Sequence, residues 1–364
     1  MIEEKIKIGI TQGDFNGIGY EIILKTFQNQ EMFDFCTPIL YGSPKVAIYH
    51  RKAIESTTNF TLIDSAAAAQ PDRLNMVNCN EEEVKVEFGL PTEESGKAAF
   101  NALSKAVEDY RKGYIEAIVT APINKKTIQS DAFNFQGHTE YIEFELGEGK
   151  KALMILMSES LKIALVTVHE PISKISQLIS KDLIKEKIQI LNETLLKDFQ
   201  IEIPRIAVLA LNPHAGDDGL IGNEEKETII PAIKEMVETG IHCFGPFSAD
   251  GFFGSGNYRA FDAILAMYHD QGLIPLKTIA MNRGVNFTAG LPVIRTSPDH
   301  GTAFDIAGKG VASEESFREA IYSAIDIFRS RQNEENIRKN PLQKHFFART
   351  DDSDKLKLDI TDEG

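Results

Sequence analysis

Short apolar runs alternate with longer stretches of helical period along this chain. IKIGIT (6–11), TPILYG (37–42), EAIVTAPI (116–123), ALMILMS (152–158), KIALVTV (162–168), RIAVLALN (205–212) and DAILAMY (262–268) read as buried strands. Their near-continuous apolarity implies cover on both faces. Between them, Ala99, Leu103, Ala106, Val107 and Tyr110 recur at helical spacing, with Gly113 as a stop. Ile184, Ile188, Leu191 and Leu195 mark a second helix; Ile229, Ile230, Ile233 and Val237 mark a third, ended by Gly240. Ser43-Pro44 reads as an N-cap followed by proline at the first helical position. Strands alternating with helices predict βαβ units, a mostly parallel sheet and an α/β class. No internal repeat or Gly/Ser linker divides the chain. From about Arg349 a polar, acidic tail (349–364) lacks periodicity and reads as loose or strand-like.

Length and composition narrow the function. A chain of 364 residues buries a substantial core, and 42% hydrophobic with 26% charged residues is ordinary for a globular protein. The net charge of -15 repels phosphate backbones and anionic lipid, which argues against nucleic acid or a membrane surface as partner. An anionic substrate must then meet a local basic pocket. Cys36, Cys79 and Cys243 form an odd, scattered set without a CxxC pair, as expected of reduced thiols in the core. The start MIEEKIKIGIT has no signal-like apolar region, and no apolar run reaches the roughly 18 residues of a membrane span, so a cytoplasmic setting is expected.

Polar residues just past strand ends carry the candidate chemistry, because open α/β sheets bind ligands there. His169 follows KIALVTV, His214 follows RIAVLALNP, His269 follows DAILAMY, and His138 lies in GHTEY ahead of a helix. Three imidazoles with an open position suit a catalytic divalent metal. Taken singly, each is as well explained as a hydrogen-bonded loop histidine, and the spacing matches no compact motif such as HExxH. Lys277, Asn286 and Arg295 lie within LKTIAMNRGVNFTAGLPVIRTS and suit a small anion; ordinary surface ion pairs are the alternative for either cation. QGDFNGIG (12–19) is glycine-rich between strand and helix, but it contains neither GxGxxG nor GxxxxGK[ST], so turn chemistry explains it equally well. In HGTAFDIAGKG (300–310), glycines permit close backbone approach. There Asp305 offers a carboxylate that accepts from ribose hydroxyls and repels a 2′-phosphate.

TQGDFNGIGYEI, TAPINK, GHTEY, LVTVHEP, LNPHAGDDGLIGNEE, GPFSADGFF, AMYHDQGLIPLK and GVNFTAGLPVIRTSPDHGTAFDIAGKG together resemble the ordered signature blocks of the 4-hydroxythreonine-4-phosphate dehydrogenases of pyridoxal phosphate biosynthesis. The resemblance implies an isocitrate/isopropylmalate-dehydrogenase-like fold: two α/β lobes around a largely parallel sheet core with a central cleft. The lobes would be about 1–20 plus 200–345, and 21–199. It also implies a homodimer whose active site the partner subunit helps complete. His169, His214 and His269 match the family's divalent-metal ligands, with Zn, Mg or Co as the ion. His138, Thr139, Lys277, Asn286 and Arg295 match its substrate-binding positions, and Asp250 in SADGFF matches an acidic active-site residue. His300, Gly301, Thr302 and Asp305 match the cofactor loop of the wider decarboxylating-dehydrogenase group, in which an Asp at the place of Asp305 goes with NAD rather than NADP. The first block departs from the family's usual GDPAGIGPE by reading GDFNGIGYE. Losing both prolines is expected to loosen the turn, and Tyr20 to add bulk near the cleft.

The activity this implies is oxidation of 4-phosphohydroxy-L-threonine with NAD and a divalent metal, followed by decarboxylation to 3-amino-2-oxopropyl phosphate. Three alternatives stand beside it: a dehydrogenase of phosphoerythronate or phosphothreonate, a metal-dependent phosphohydrolase, and a non-catalytic metabolite sensor.

Overall fold

All seven apolar runs form strands. The computed structural model describes residues 5–80, 84–280 and 283–339, so the tail at 349–364 lies outside the described residues. Among these residues one sheet of twelve strands organises the chain: β1 Ile6–Thr11, β2 Cys36–Gly42, β3 Phe60–Ile63, β4 Leu74–Asn78, β5 Ala117–Thr120, β6 Leu153–Ser158, β7 Leu161–Leu165, β8 Ile206–Leu209, β9 Cys243–Phe247, β10 Ala263–Ala266, β11 Val285–Ala289 and β12 Ile294–Pro298. The spatial order is β3-β4-β2-β1-β5-β12-β11-β6-β7-β10-β8-β9. β3 to β12 form one parallel block and β7-β10-β8-β9 another; the antiparallel pairings β12-β11, β11-β6 and β6-β7 join them. The sheet is therefore largely parallel with an antiparallel seam at its centre. By strand direction, residues 6–11 join strands of the 36–120 segment, and 206–266 join β7.

The helices follow their sequence signals. Glu93–Arg111 starts at a capping box, in which the Thr92 hydroxyl accepts from Ser95 N, and it ends beside Gly113, whose φ of 70° only glycine adopts cheaply. Lys181–Lys197 is capped by the Ser180 hydroxyl. Pro44–Ala53 begins with proline, although Ser43 makes no side-chain cap bond. Among the described residues no helix is long and apolar enough to cross a membrane. All three thiols are free, and burial pushes Cys36 and Cys79 up to about 12 and Cys243 to about 11.

Alternation along the strands decides where the cleft lies. One face of the sheet packs Ile8, Ile10, Val119, Ile294, Phe287 and Ile155 in a continuous core beneath Gly19–Thr26, Lys181–Lys197 and the long helix Glu315–Lys339. On the other face the cover splits in two. Glu93–Arg111 and His138–Leu146 pack over Ile39, Tyr41 and Ile118, whereas His269–Ala280 packs over Leu156, Ile163 and Leu165. Between those clusters, β12 and β11 turn Arg295, Ser297, Asn286 and Thr288 to the uncovered side. This one-sided polarity explains why β11 and β12 carry no continuous apolar run.

The expected looseness of the first block is not observed. Asn16 replaces the prolines' restraint: its side chain donates to Leu90 O (2.9 Å) and Thr92 Oγ1 (3.2 Å) and accepts from Glu87 N (2.7 Å). Tyr20 is fully buried away from the cleft, where its hydroxyl meets Gln12 and accepts from Ser43 N at 2.8 Å.

Candidate active site

The polar strip on β12 and β11 holds a buried cation that forms no ion pair. Arg295 is 3% exposed, and its guanidinium donates only to hydroxyls: to Thr120 Oγ1 (2.7 and 3.2 Å) and Thr288 Oγ1 (3.2 Å). Among the described residues it forms no ion pair. Burial, opposed by the charge of Glu140, lowers its pKa to about 10, leaving it charged at neutral pH. On the same strip the Asn286 side-chain carbonyl is buried without a partner. His138 opens the helix His138–Leu146 and is buried beside Arg295. Its pKa falls well below the ordinary value through burial, then through the charges of Arg295 and Lys125, and its Nε2 has no partner. Thr139 follows in the first helical turn, where free backbone N–H groups favour an anion. Several groups around one spot thus lack counterparts, and a small anion would supply them.

The histidines lie beyond the second parallel block. β7 and β10 stay paired past their ends, through Val166 N to Ala266 O (2.9 Å) and Thr167 Oγ1 to Met267 O (2.8 Å). They therefore deliver His169 and His269 side by side, with ring centroids 6.1 Å apart. The two flank a cleft of about 260 Å³, also lined by Glu170, Ile172 and Tyr268. Asp270 accepts from His269 Nδ1 at 2.7 Å, which leaves Nε2 for a ligand. Burial and then the charge of Lys125 lower the pKa of His169, so its imidazole is neutral at pH 7, the form that binds metal. Gln271 ties this end of β10 to β8, accepting from Met267 N (2.7 Å) and donating to Ala210 O (2.6 Å).

His214 is placed apart from that pair. It begins a run of six positive-φ residues, His214 to Gly219, four of them not glycine. Such backbone is costly and persists only where its surroundings impose it. The buried Glu225 fixes the chain that enters this run, accepting from Leu211 N (2.8 Å), Asn212 N (2.7 Å) and Asn212 Nδ2 (3.0 Å). Asp250 lies near His214, and its carboxyl is held low chiefly by the Ser248 hydroxyl at 2.7 Å. Among the described residues of one chain, no three His, Cys, Asp or Glu side chains gather into a metal set.

Lys277 lies on the helix that His269 begins, and its Nζ stands 3.5 Å from Asp299 O. It thereby links the histidine end of the site to the 300–310 loop. In that loop Gly301 and Asp305 are exposed, Thr302 gives its carbonyl to Ile18 N (3.0 Å), and His300 Nε2 is buried without a partner. Nothing lies within 4 Å of the place a Cβ on Gly301 would take, so a ligand has free access to the backbone. The open backbone and unpaired imidazole nitrogen fit a hydrogen-bonding cofactor.

Lys125 was missed by the sequence reading. Its Nζ lies 3.1 Å from His169 Nε2, and it is half-buried with a pKa lowered by that burial. It bridges the Arg295–His138 side and the histidine pair. Its position just past β5, in TAPINK, was the available signal.

The family model described as "Pyridoxal phosphate biosynthetic protein PdxA" matches residues 34–324. The chain belongs to the PdxA family. A 4-hydroxythreonine-4-phosphate dehydrogenase of Bacteroides thetaiotaomicron is 63% identical over 363 residues, covering 100% of both chains. A relative from Oceanobacillus iheyensis named "Putative D-threonate 4-phosphate dehydrogenase" is 40% identical, over 90% of this chain and 99% of its own. Among solved structures, the 4-hydroxythreonine-4-phosphate dehydrogenase of Klebsiella pneumoniae superposes with a TM-score of 0.78 at 33% identity, covering 90% of this chain and 98% of that one. PdxA membership makes the chain an oxidoreductase of the α/β class.

Proposed function

We propose that this PdxA-family chain oxidises 4-phosphohydroxy-L-threonine to 2-amino-3-oxo-4-phosphooxybutanoate, which decarboxylates to 3-amino-2-oxopropyl phosphate, in pyridoxine 5′-phosphate synthesis. The observation that carries this reading is Arg295, a buried guanidinium with hydroxyl partners only, set in the cleft between the two halves of the helical cover. Burying a charge without an ion-pair partner is costly, and a phosphate or carboxylate relieves the cost. Arg295, His138, Thr139, Asn286 and Lys277 hold the substrate's anionic and polar ends, which fixes the carbinol carbon for hydride loss. Lys125 adds a second cation at the same end. Asp250, an exposed carboxylate kept ionised by Ser248, is the acidic group available to accept a proton.

His169, His214 and His269 would hold one divalent ion, Zn, Mg or Co. Such an ion, when bound, lowers the pKa of the substrate hydroxyl and stabilises the charge that develops during oxidation and decarboxylation. The set closes in a homodimer: Ile172, Leu220 and Ile274, each within a few residues of one histidine, are 77%, 82% and 64% exposed, an apolar surface that a second subunit would cover. His300, Gly301, Thr302 and Asp305 receive NAD, with Asp305 set against the 2′-phosphate of NADP.

The four-carbon sugar-acid phosphates are the competing substrates, and the 63% identical relative carries the amino-substrate name. The test is NADH formation from 4-phosphohydroxy-L-threonine, D-threonate 4-phosphate and D-erythronate 4-phosphate, each with and without chelator. Chelator-sensitive turnover that favours the amino substrate is expected, together with its loss in folded His214→Ala. Phosphate release without NAD, or undiminished turnover of chelated His214→Ala, would refute the proposal.

A further inference from the structure

The first block grips the 300–310 loop at both ends. At the entry, Ile18 N donates to Thr302 O at 3.0 Å, and a Cβ on Gly17 would come within 2.6 Å of that same oxygen. At the exit, two side chains of the helix Gly19–Thr26 act together. Glu21 and Lys25 stand one turn apart on the same face. Lys25 Nζ donates to Gly310 O (2.8 Å), to Ala312 O (2.7 Å) and to Glu21 Oε1 (3.0 Å). Glu21 Oε1 also accepts from Ala312 N at 2.8 Å. Glu21 is fully buried, and its other oxygen has no partner.

A buried ion pair adds little stability for its own sake, so the consequence of this one falls on the backbone it holds. Between the two grips, Gly301, Asp305 and Lys309 stay exposed, while the loop doubles back through positive φ at Ala303, Gly308 and Gly310. A segment fixed at its ends and open in the middle is preorganised: a ligand that uses its backbone need not order it on binding.

We infer that Glu21 and Lys25 are positioning residues for the nicotinamide cofactor, fixing the exit of the 300–310 loop so that its exposed backbone is preset for the dinucleotide. The inference rests on the reading of that loop as the cofactor site. Neither side chain touches the cofactor; both act through Gly310 and Ala312.

Calorimetric titration of the full-length protein with NAD tests this, alongside titration with 4-phosphohydroxy-L-threonine and hydrogen exchange across 300–312. Lys25→Met should weaken NAD binding about tenfold or more and raise the KM for NAD in step. Affinity for the phosphorylated substrate and kcat should stay within about twofold, and faster exchange should be confined to 300–312. Lys25→Arg, which keeps the donors, should restore NAD affinity to within about threefold. Glu21→Gln should behave as Lys25→Met does; if it fails to fold, the lysine pair decides the matter. NAD affinity within twofold of wild type in folded Lys25→Met overturns the inference, as does equal loss of both ligands. Asp305→Ala separates premise from inference. If it weakens NAD binding while Lys25→Met does not, only the positioning role fails; if it too leaves NAD binding unchanged, the loop is not the cofactor site and both fail.

Discussion

Replacing Arg295 by methionine should move stability and binding in opposite directions. Burial holds the guanidinium at a pKa of about 10, a drop of roughly 2–3 pH units at about 1.4 kcal/mol each, so keeping this charge in the ligand-free protein costs about 3 kcal/mol. Methionine removes that cost and fills similar space. It also leaves the hydroxyls of Thr120 and Thr288 without their donor, at about 1 kcal/mol apiece. The net for the ligand-free protein is about zero to a gain of 1–2 kcal/mol, an unchanged Tm or one raised by a few degrees. Binding should behave differently. Loss of two charge-assisted hydrogen bonds to an anion, at about 1.5–3 kcal/mol each, should lower kcat/KM by about 10²- to 10⁴-fold, mostly through KM. Scanning calorimetry of the ligand-free variant and NADH-coupled kinetics read the two effects. A lowered Tm with KM within about threefold of wild type would mean that the guanidinium is a structural strut and would refute the reasoning.

His50 makes stability pH-dependent. It is fully buried, its Nε2 lies 2.7 Å from Phe15 O, and burial lowers its pKa to about 4. An unfolded histidine takes up a proton near pH 6.5 but folded His50 does not. The unfolded state thus binds more protons in this interval, and stability should fall by about 3 kcal/mol between pH 6.5 and 4. His138 acts in the same direction. Denaturant titrations at stepped pH should show a deficit of His50→Gln against wild type that shrinks on acidification; parallel curves would exclude the His50 contribution. Asp305→Ser, at an exposed loop position, should raise the NADP-to-NAD ratio of kcat/KM about tenfold or more. An unchanged ratio would remove Asp305 from cofactor choice.

The class, seven strands and the helices near 44, 99–110, 184–195 and 229–237 were legible because period and apolarity are local properties, whereas the long helix Glu315–Lys339 was not read. His169, His214 and His269 were visible as strand-end residues for the same reason. β11 and β12 were not: each buries one face against Glu315–Lys339 and turns Asn286, Thr288, Arg295 and Ser297 to the cleft, so their runs look polar. Lys125 sat in plain view past β5, but its value depends on His169, forty-four residues later.

What the sequence determined by itself was therefore the class, most of the buried strands, the residue types available at their ends and, through the ordered motif blocks, the family. The tertiary structure alone decided which of those residues meet. β7 lies beside β10 although a hundred residues separate them, which sets His169 against His269, while a left-handed run entered from a chain that Glu225 fixes brings His214 near Asp250. The grip of Glu21 and Lys25 on Ala312, nearly three hundred residues away, is of the same kind. The physical reason is common to all three. Side-chain period is written along the chain, whereas counter-charges, unpaired donors and shared backbone contacts exist only after distant strands have been packed side by side.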